Sequence, residues 1–112
     1  MKSSSSVKVF YPRYHKEELI KLIKERLEEL NNHLPLKQVV LFGSYARGNY
    51  TVASDVDLLV IYRGESREGA YALVKKIVVV SLLQPHVYSE KESREIISTL
   101  HQMTKDGIIL FP

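Results

Sequence analysis

Cysteine is absent from the sequence. That excludes a disulfide framework and any thiolate metal site. No apolar run approaches the length needed to cross a membrane. The opening stretch MKSSSS is polar and lacks the apolar core of a signal peptide. A soluble, cytoplasmic protein is the expectation. Charge of one sign is also scarce: the net charge of +3 favours phosphate-rich ligands only mildly. Neither that excess nor any run of interleaved basic and aromatic residues supports nucleic-acid binding, so an RNA-binding accessory domain is the weakest reading.

What is present is one domain's worth of chain, 112 residues with ordinary apolar content. Residues 1–6 read as a flexible tail and 7–112 as the domain. From Lys16 to Leu34 the apolar residues Leu19, Leu22, Ile23, Leu27, Leu30 and Leu34 form one stripe at helical spacing. Asn31, Asn32 and Pro35 mark the end of that helix. KQVVLF (Lys37 to Phe42) and VDLLVIY (Val56 to Tyr62) read as strands, the second buried on both faces. A helix is expected from Glu68 to about Val80, although the run IVVV favours a strand. LQPHVYS holds a short third strand centred on His86 to Tyr88.

Ser89 with Glu92 makes a capping box that opens another helix. Ile96, Ile97, Leu100 and Met103 are its expected buried stripe, and Gly107 its expected left-handed C-terminal residue. IILF (Ile108 to Phe111) is a final edge segment. The fold class is α+β, a mixed α/β arrangement with a small sheet packed by about three helices.

The stretch LFGSYARGNYTVASDVDLLVIY breaks the rules of strand composition. Aspartate is a poor strand former, yet Asp55 and Asp57 stand at the start of a strand. Residues i and i+2 of a strand project to one side, so the two carboxylates lie roughly 7 Å apart at their Cα atoms. Their repulsion, about 2 kcal/mol at an effective dielectric near 20, calls for a counter-charge if they line a pocket. Oxygen donors alone favour a hard divalent ion such as Mg²⁺. Gly43 allows a sharp turn and close approach of a ligand. If SYAR opens a short helix, its free N–H groups suit an anion, Ser44 adds a hydroxyl donor, and Arg47 can hold a phosphate or a neighbouring carboxylate. Together these groups suit a metal–triphosphate complex. Neither GxxxxGK[ST] nor GxGxxG is present.

Gly43 and Ser44, ten residues, then Asp-x-Asp (GSYARGNYTVASDVD) resembles the signature of the minimal nucleotidyltransferases, the MNT proteins of the DNA polymerase beta superfamily. The resemblance implies transfer of a nucleoside monophosphate, commonly AMP from ATP, to an acceptor hydroxyl. Asp55 and Asp57 would be the catalytic aspartates that bind Mg²⁺, two ions in an active enzyme. Gly43, Ser44 and Arg47 would hold the triphosphate. One departure stands out. Active members carry a third carboxylate on a neighbouring strand, whereas Val78 to Tyr88 has no Asp or Glu. Gln84 or His86 falls near that place, and an amide can act neither as a base nor as a strong ligand. Glu90 and Glu92 look like helix-start charges. Short MNT proteins are commonly paired with a HEPN protein, a helical ribonuclease toxin, which the MNT member binds or adenylylates on a tyrosine. Two readings follow: an Mg²⁺-dependent transferase using ATP, or an MNT-fold antitoxin that acts by complex formation. Either allows a homo- or hetero-oligomer.

Overall fold

The structure, a computed structural model, describes residues 14–112. The expected tail over residues 1–6 and the start of the domain at residue 7 lie outside the described residues. Helix α1 (Lys16–His33) is followed by strand β1 (Leu36–Phe42), the single turn α2 (Ser44–Arg47) and strand β2 (Val56–Tyr62). Helix α3 (Ala70–Ile77) leads to β3 (Leu83–Ser89), then α4 (Glu90–Glu95), α5 (Ile97–Met103) and β4 (Ile108–Phe111). The four strands form one mixed sheet in the order β3-β2-β1-β4. β1 runs antiparallel to both β2 and β4, and β2 runs parallel to β3.

The alternation of side chains gives the sheet two different faces. On one face Val39 and Leu41 of β1 join Val56, Leu58, Val60 and Tyr62 of β2. They pack against Leu19, Ile23, Leu27 and Leu30 of α1 and Val74 and Ile77 of α3. On the other face the core is smaller: Val40, Phe42, Leu59 and Ile61 are buried with Leu100 of α5. β2 is therefore buried on both sides, as its apolar run predicts. Asp57 is the single residue of that strand that is not buried.

Several boundaries differ from the sequence expectation. α3 stops at Ile77, because Val78 leaves helical geometry and Val78 and Val80 turn into the core. β3 covers all of LQPHVYS. The capping box at Ser89 and Glu92 is present, with both reciprocal hydrogen bonds made. The helix it opens breaks at Ile96, whose backbone (φ −124°, ψ 30°) ends α4 and precedes α5. The break rotates Ile97 outward, so it is exposed instead of joining Leu100 in the core. Gly107 does not adopt left-handed geometry. A side chain there would run into Val40 and the backbone oxygens of Thr104 and Leu41, so close packing against β1 explains the glycine.

Candidate functional site

β1 ends at Phe42, and the chain then turns through Gly43 at φ 78° and ψ −155°, a conformation open essentially to glycine alone. The turn feeds α2, whose first residue is Ser44 and whose last is Arg47. Antiparallel pairing sets Phe42 opposite Asp57. The Asp57 carboxylate thus lies directly over Gly43. A Cβ built on Gly43 would overlap Asp57 Oδ2 and stand 3.1 Å from its Cγ. The glycine of the corner and the second aspartate of the strand form one piece of geometry.

Asp55 precedes β2 by one residue and is exposed. It is close enough to act electrostatically on Asp57, as is Arg47 from α2. Burial raises the Asp57 pKa above its ordinary value. His86 and Arg47 oppose that rise by favouring the anion, and Asp55 adds to it by repulsion. Asp57 is thus a partly desolvated carboxylate with a like charge nearby. Among the described residues, neither aspartate has a lysine or arginine nitrogen within 4.0 Å. No ion pair to a lysine or arginine fills the corner there.

α2 is held from behind by an aromatic cluster that sequence reasoning missed. Tyr45 and Tyr50 stack with ring centroids 4.3 Å apart and 12° between planes. The Tyr45 hydroxyl donates to the Tyr14 carbonyl at 3.1 Å. The Tyr50 hydroxyl accepts from the Lys16 backbone N–H at 3.0 Å, and Lys16 Nζ donates to the Ala46 carbonyl at 3.1 Å. The start of α1 is thereby tied to the glycine–serine turn. Tyrosines spaced by five residues across a turn carry no periodic signal, which is why this support is invisible in the sequence.

β3 brings the two remaining candidates to the same sheet face. Gln84 pairs opposite Asp57, and His86 pairs opposite Leu59. Gln84 is exposed, and His86 Nε2 stands 3.9 Å from Asp57 Oδ1. The structure therefore brings together Gly43, Asp57 and His86, with Asp55 and Arg47 at the edge and Gln84 across the strand pair. Glu90 faces elsewhere: it accepts from Lys37 Nζ at 2.9 Å and from the Gly64 N–H at 3.2 Å.

A small mixed sheet carrying a glycine–serine turn on one strand and an aspartate pair on its antiparallel neighbour defines a nucleotidyltransferase-like α+β domain. The chain belongs to the nucleotidyltransferase domain family, whose model matches residues 20–111. It is similar to a Methanocaldococcus jannaschii protein named "Putative protein adenylyltransferase", with 46% identity over 48 residues. That alignment covers 41% of this chain and 48% of the relative, so the chain spans about half the length of the curated relative it matches. A crystal structure described as a "putative nucleotidyltransferase" from Sulfolobus solfataricus superposes with a TM-score of 0.58 at 26% identity. It covers 85% of this chain and 81% of that one. A third likeness is to a structure of a tri-AMPylated Shewanella oneidensis HEPN toxin in complex with an MNT antitoxin (TM-score 0.53, 19% identity). It covers 82% of this chain and 71% of that chain, and at this identity it concerns the fold alone. Among the described residues no helix is long and apolar enough to cross a membrane.

Proposed function

We propose that the chain transfers a nucleoside monophosphate, AMP from ATP, to a hydroxyl acceptor, and that the acceptor is a tyrosine of a HEPN-type protein partner. The observation that carries this reading is the placement of Asp57. It is the one residue of β2 that is not buried, it lies over a glycine whose geometry only glycine tolerates, and it has Asp55 as a like-charged neighbour. Folding alone gains nothing from that arrangement.

The donor chemistry fits a divalent cation. Asp55 and Asp57 offer oxygens only, the ligand type of Mg²⁺. Among the described residues no group of three or more acidic or histidine side chains is placed to hold a metal ion by itself. Two carboxylates with substrate phosphates completing the shell is the usual arrangement for Mg²⁺. Asp55 and Asp57 would hold the ion, which when bound supplies charge stabilisation to the phosphates. Gly43 lets the phosphate chain approach the backbone without a side chain in the way. Ser44 donates a hydroxyl to a phosphate oxygen, and Arg47 brings a cation to the same end of the chain. Most of the acceleration then comes from holding the acceptor hydroxyl in line with the phosphate.

A second reading keeps the nucleotide pocket without efficient transfer, the chain acting as an antitoxin by complex formation. The make-up of β3 supports it: Gln84 pairs opposite Asp57, His86 opposite Leu59, and the strand carries no carboxylate.

One experiment separates the two. The full chain is incubated with labelled ATP and Mg²⁺, alone and with the protein encoded beside it. Label on protein that disappears in Asp55→Asn and Asp57→Asn supports transfer. No label, with thermal stability raised by Mg·ATP, supports the binding module. No label and no thermal shift removes both.

A further inference from the structure

The two halves of the corner lie on separate pieces of chain, and β1–β2 pairing joins them only in part. That ladder ends at Phe42 opposite Asp57, so Asp55 and Val56 lie beyond it. β3 fixes this end instead: Val56 pairs with Leu83, and its N–H donates to the Leu82 carbonyl at 2.8 Å. The turn that presents this carbonyl has buried residues on either side, Val80 and Leu83, but Ser81 and Leu82 at its apex are exposed. Leu82 also stands at φ 61°. Such an apex is held by its backbone hydrogen bonds and not by packing. The second of these bonds runs to the start of the described chain: the Ser81 N–H donates to the Tyr14 hydroxyl at 3.2 Å.

Tyr14 meets the other half of the corner with its opposite end. Its carbonyl accepts from the hydroxyl of Tyr45, a buried residue of α2 next to Ser44. Its ring packs against the larger core, which fixes the residue between the two halves. We propose that Tyr14 is a positioning residue, a strut that sets the spacing between the glycine–serine turn and the Asp55 end of the aspartate pair, and thereby the affinity for a nucleotide that must meet both. This rests on the nucleotide-binding reading above and does not need transfer to occur. A ligand that spans two groups binds more tightly when both are already in place, since less ordering is left for the binding step. Tyr14→Phe keeps the ring and removes only the acceptor. The exposed Ser81 N–H can then turn to water, so the fold as a whole should lose little.

The test uses the full chain with Mg²⁺ and a non-hydrolysable ATP analogue. Calorimetry gives the affinity of wild type, Tyr14→Phe, Tyr45→Phe and the double variant. Amide hydrogen exchange is followed at Val56 and, for comparison, at Val60 in the middle of β2. Tyr14→Phe is expected to bind the analogue about threefold more weakly, the lower end for one hydrogen bond, because that bond is open to solvent. Its Val56 amide should exchange about threefold faster while Val60 is unchanged, since the loosening is local and not global. Tyr14→Phe and Tyr45→Phe cut one strut at its two ends, so the double variant should bind no more weakly than the weaker single one. Four results would each overturn the role of Tyr14 and leave the nucleotide site standing: unchanged affinity in Tyr14→Phe, unchanged exchange at Val56, Val56 and Val60 accelerated together, or losses that multiply in the double variant. No binding by wild type overturns the nucleotide reading, and the positioning role falls with it.

Discussion

Gly43 and Asp57 occupy the same space: the Cβ that any other residue would place at position 43 falls on the Asp57 carboxylate. Gly43 also holds a positive φ that other residues reach only with strain. Gly43→Ala combines both penalties and is expected to cost about 2–4 kcal/mol. The overlap part depends on Asp57, and the backbone part does not. In an Asp57→Ala background the same substitution should cost about 1 kcal/mol less. Denaturant midpoints of the four proteins measure the coupling. Strict additivity would show that the carboxylate does not lie over the glycine.

Asp57 works against the stability of the domain. Its folded pKa is raised above 3.8, first by burial, so the folded state holds its proton more tightly than the unfolded chain. Its stabilising contribution is complete below the unfolded value and is lost as pH rises through the folded one. At neutral pH the ionised carboxylate is a net cost. Asp57→Asn should therefore raise stability at pH 7. That gain should shrink to nothing as the pH falls below the carboxylate range. Melting curves across pH test this, and a gain that persists in acid would contradict it. Addition of a divalent ion with nucleotide should stabilise wild type and leave the variant unmoved.

The sheet's centre was legible because β1 and β2 are short apolar runs bounded by turn residues, and α1 because its leucines recur at helical spacing. The corner stood out for a different reason: Asp55 and Asp57 contradict strand composition, and local contradictions of that kind single out candidate positions. The break at Ile96 was not legible. Ile96, Leu100 and Met103 keep helical spacing straight through it, and all three pack toward the smaller core. The backbone angles of Ile96 and the 45% exposure of Ile97 reveal the interruption. The β3 candidates Gln84 and His86 came from the family resemblance and not from any local pattern. They reach the face of Asp57 through parallel register.

Glu90 ties three elements together from the start of α4. It accepts from Lys37 on β1 and from the Gly64 N–H after β2. Those hydrogen bonds, Lys37 first, hold its carboxyl below the usual range. A lowered folded pKa adds stability above the unfolded value, and that stability is lost as pH falls through the folded one. Glu90→Gln should lower Tm at pH 7 by about one or two degrees, since the group is open to solvent. The difference should close in acid and narrow in high salt. A difference insensitive to both would assign the effect to packing.

Leu82 is the one non-glycine residue with positive φ (61°) among the described residues. It sits in the turn closed by the Leu83 N–H and the Val80 carbonyl at 3.3 Å. Its side chain is 48% exposed, so little burial offsets the strain. Its carbonyl, by contrast, accepts from the N–H of Val56, the residue between the two aspartates, at 2.8 Å. The backbone of Leu82 therefore matters to the site and its side chain contributes little to the fold. Leu82→Gly relieves roughly 1–2 kcal/mol of left-handed strain. It gives back about 0.5–1 kcal/mol through the freer unfolded chain. The net should be a gain of about 0.5–1 kcal/mol, whereas Leu82→Ala keeps the strain and should gain nothing. Denaturation of both variants decides the matter. A glycine variant less stable than wild type would mean that the leucine side chain holds the turn in place, and the apparent strain would then be the consequence of packing.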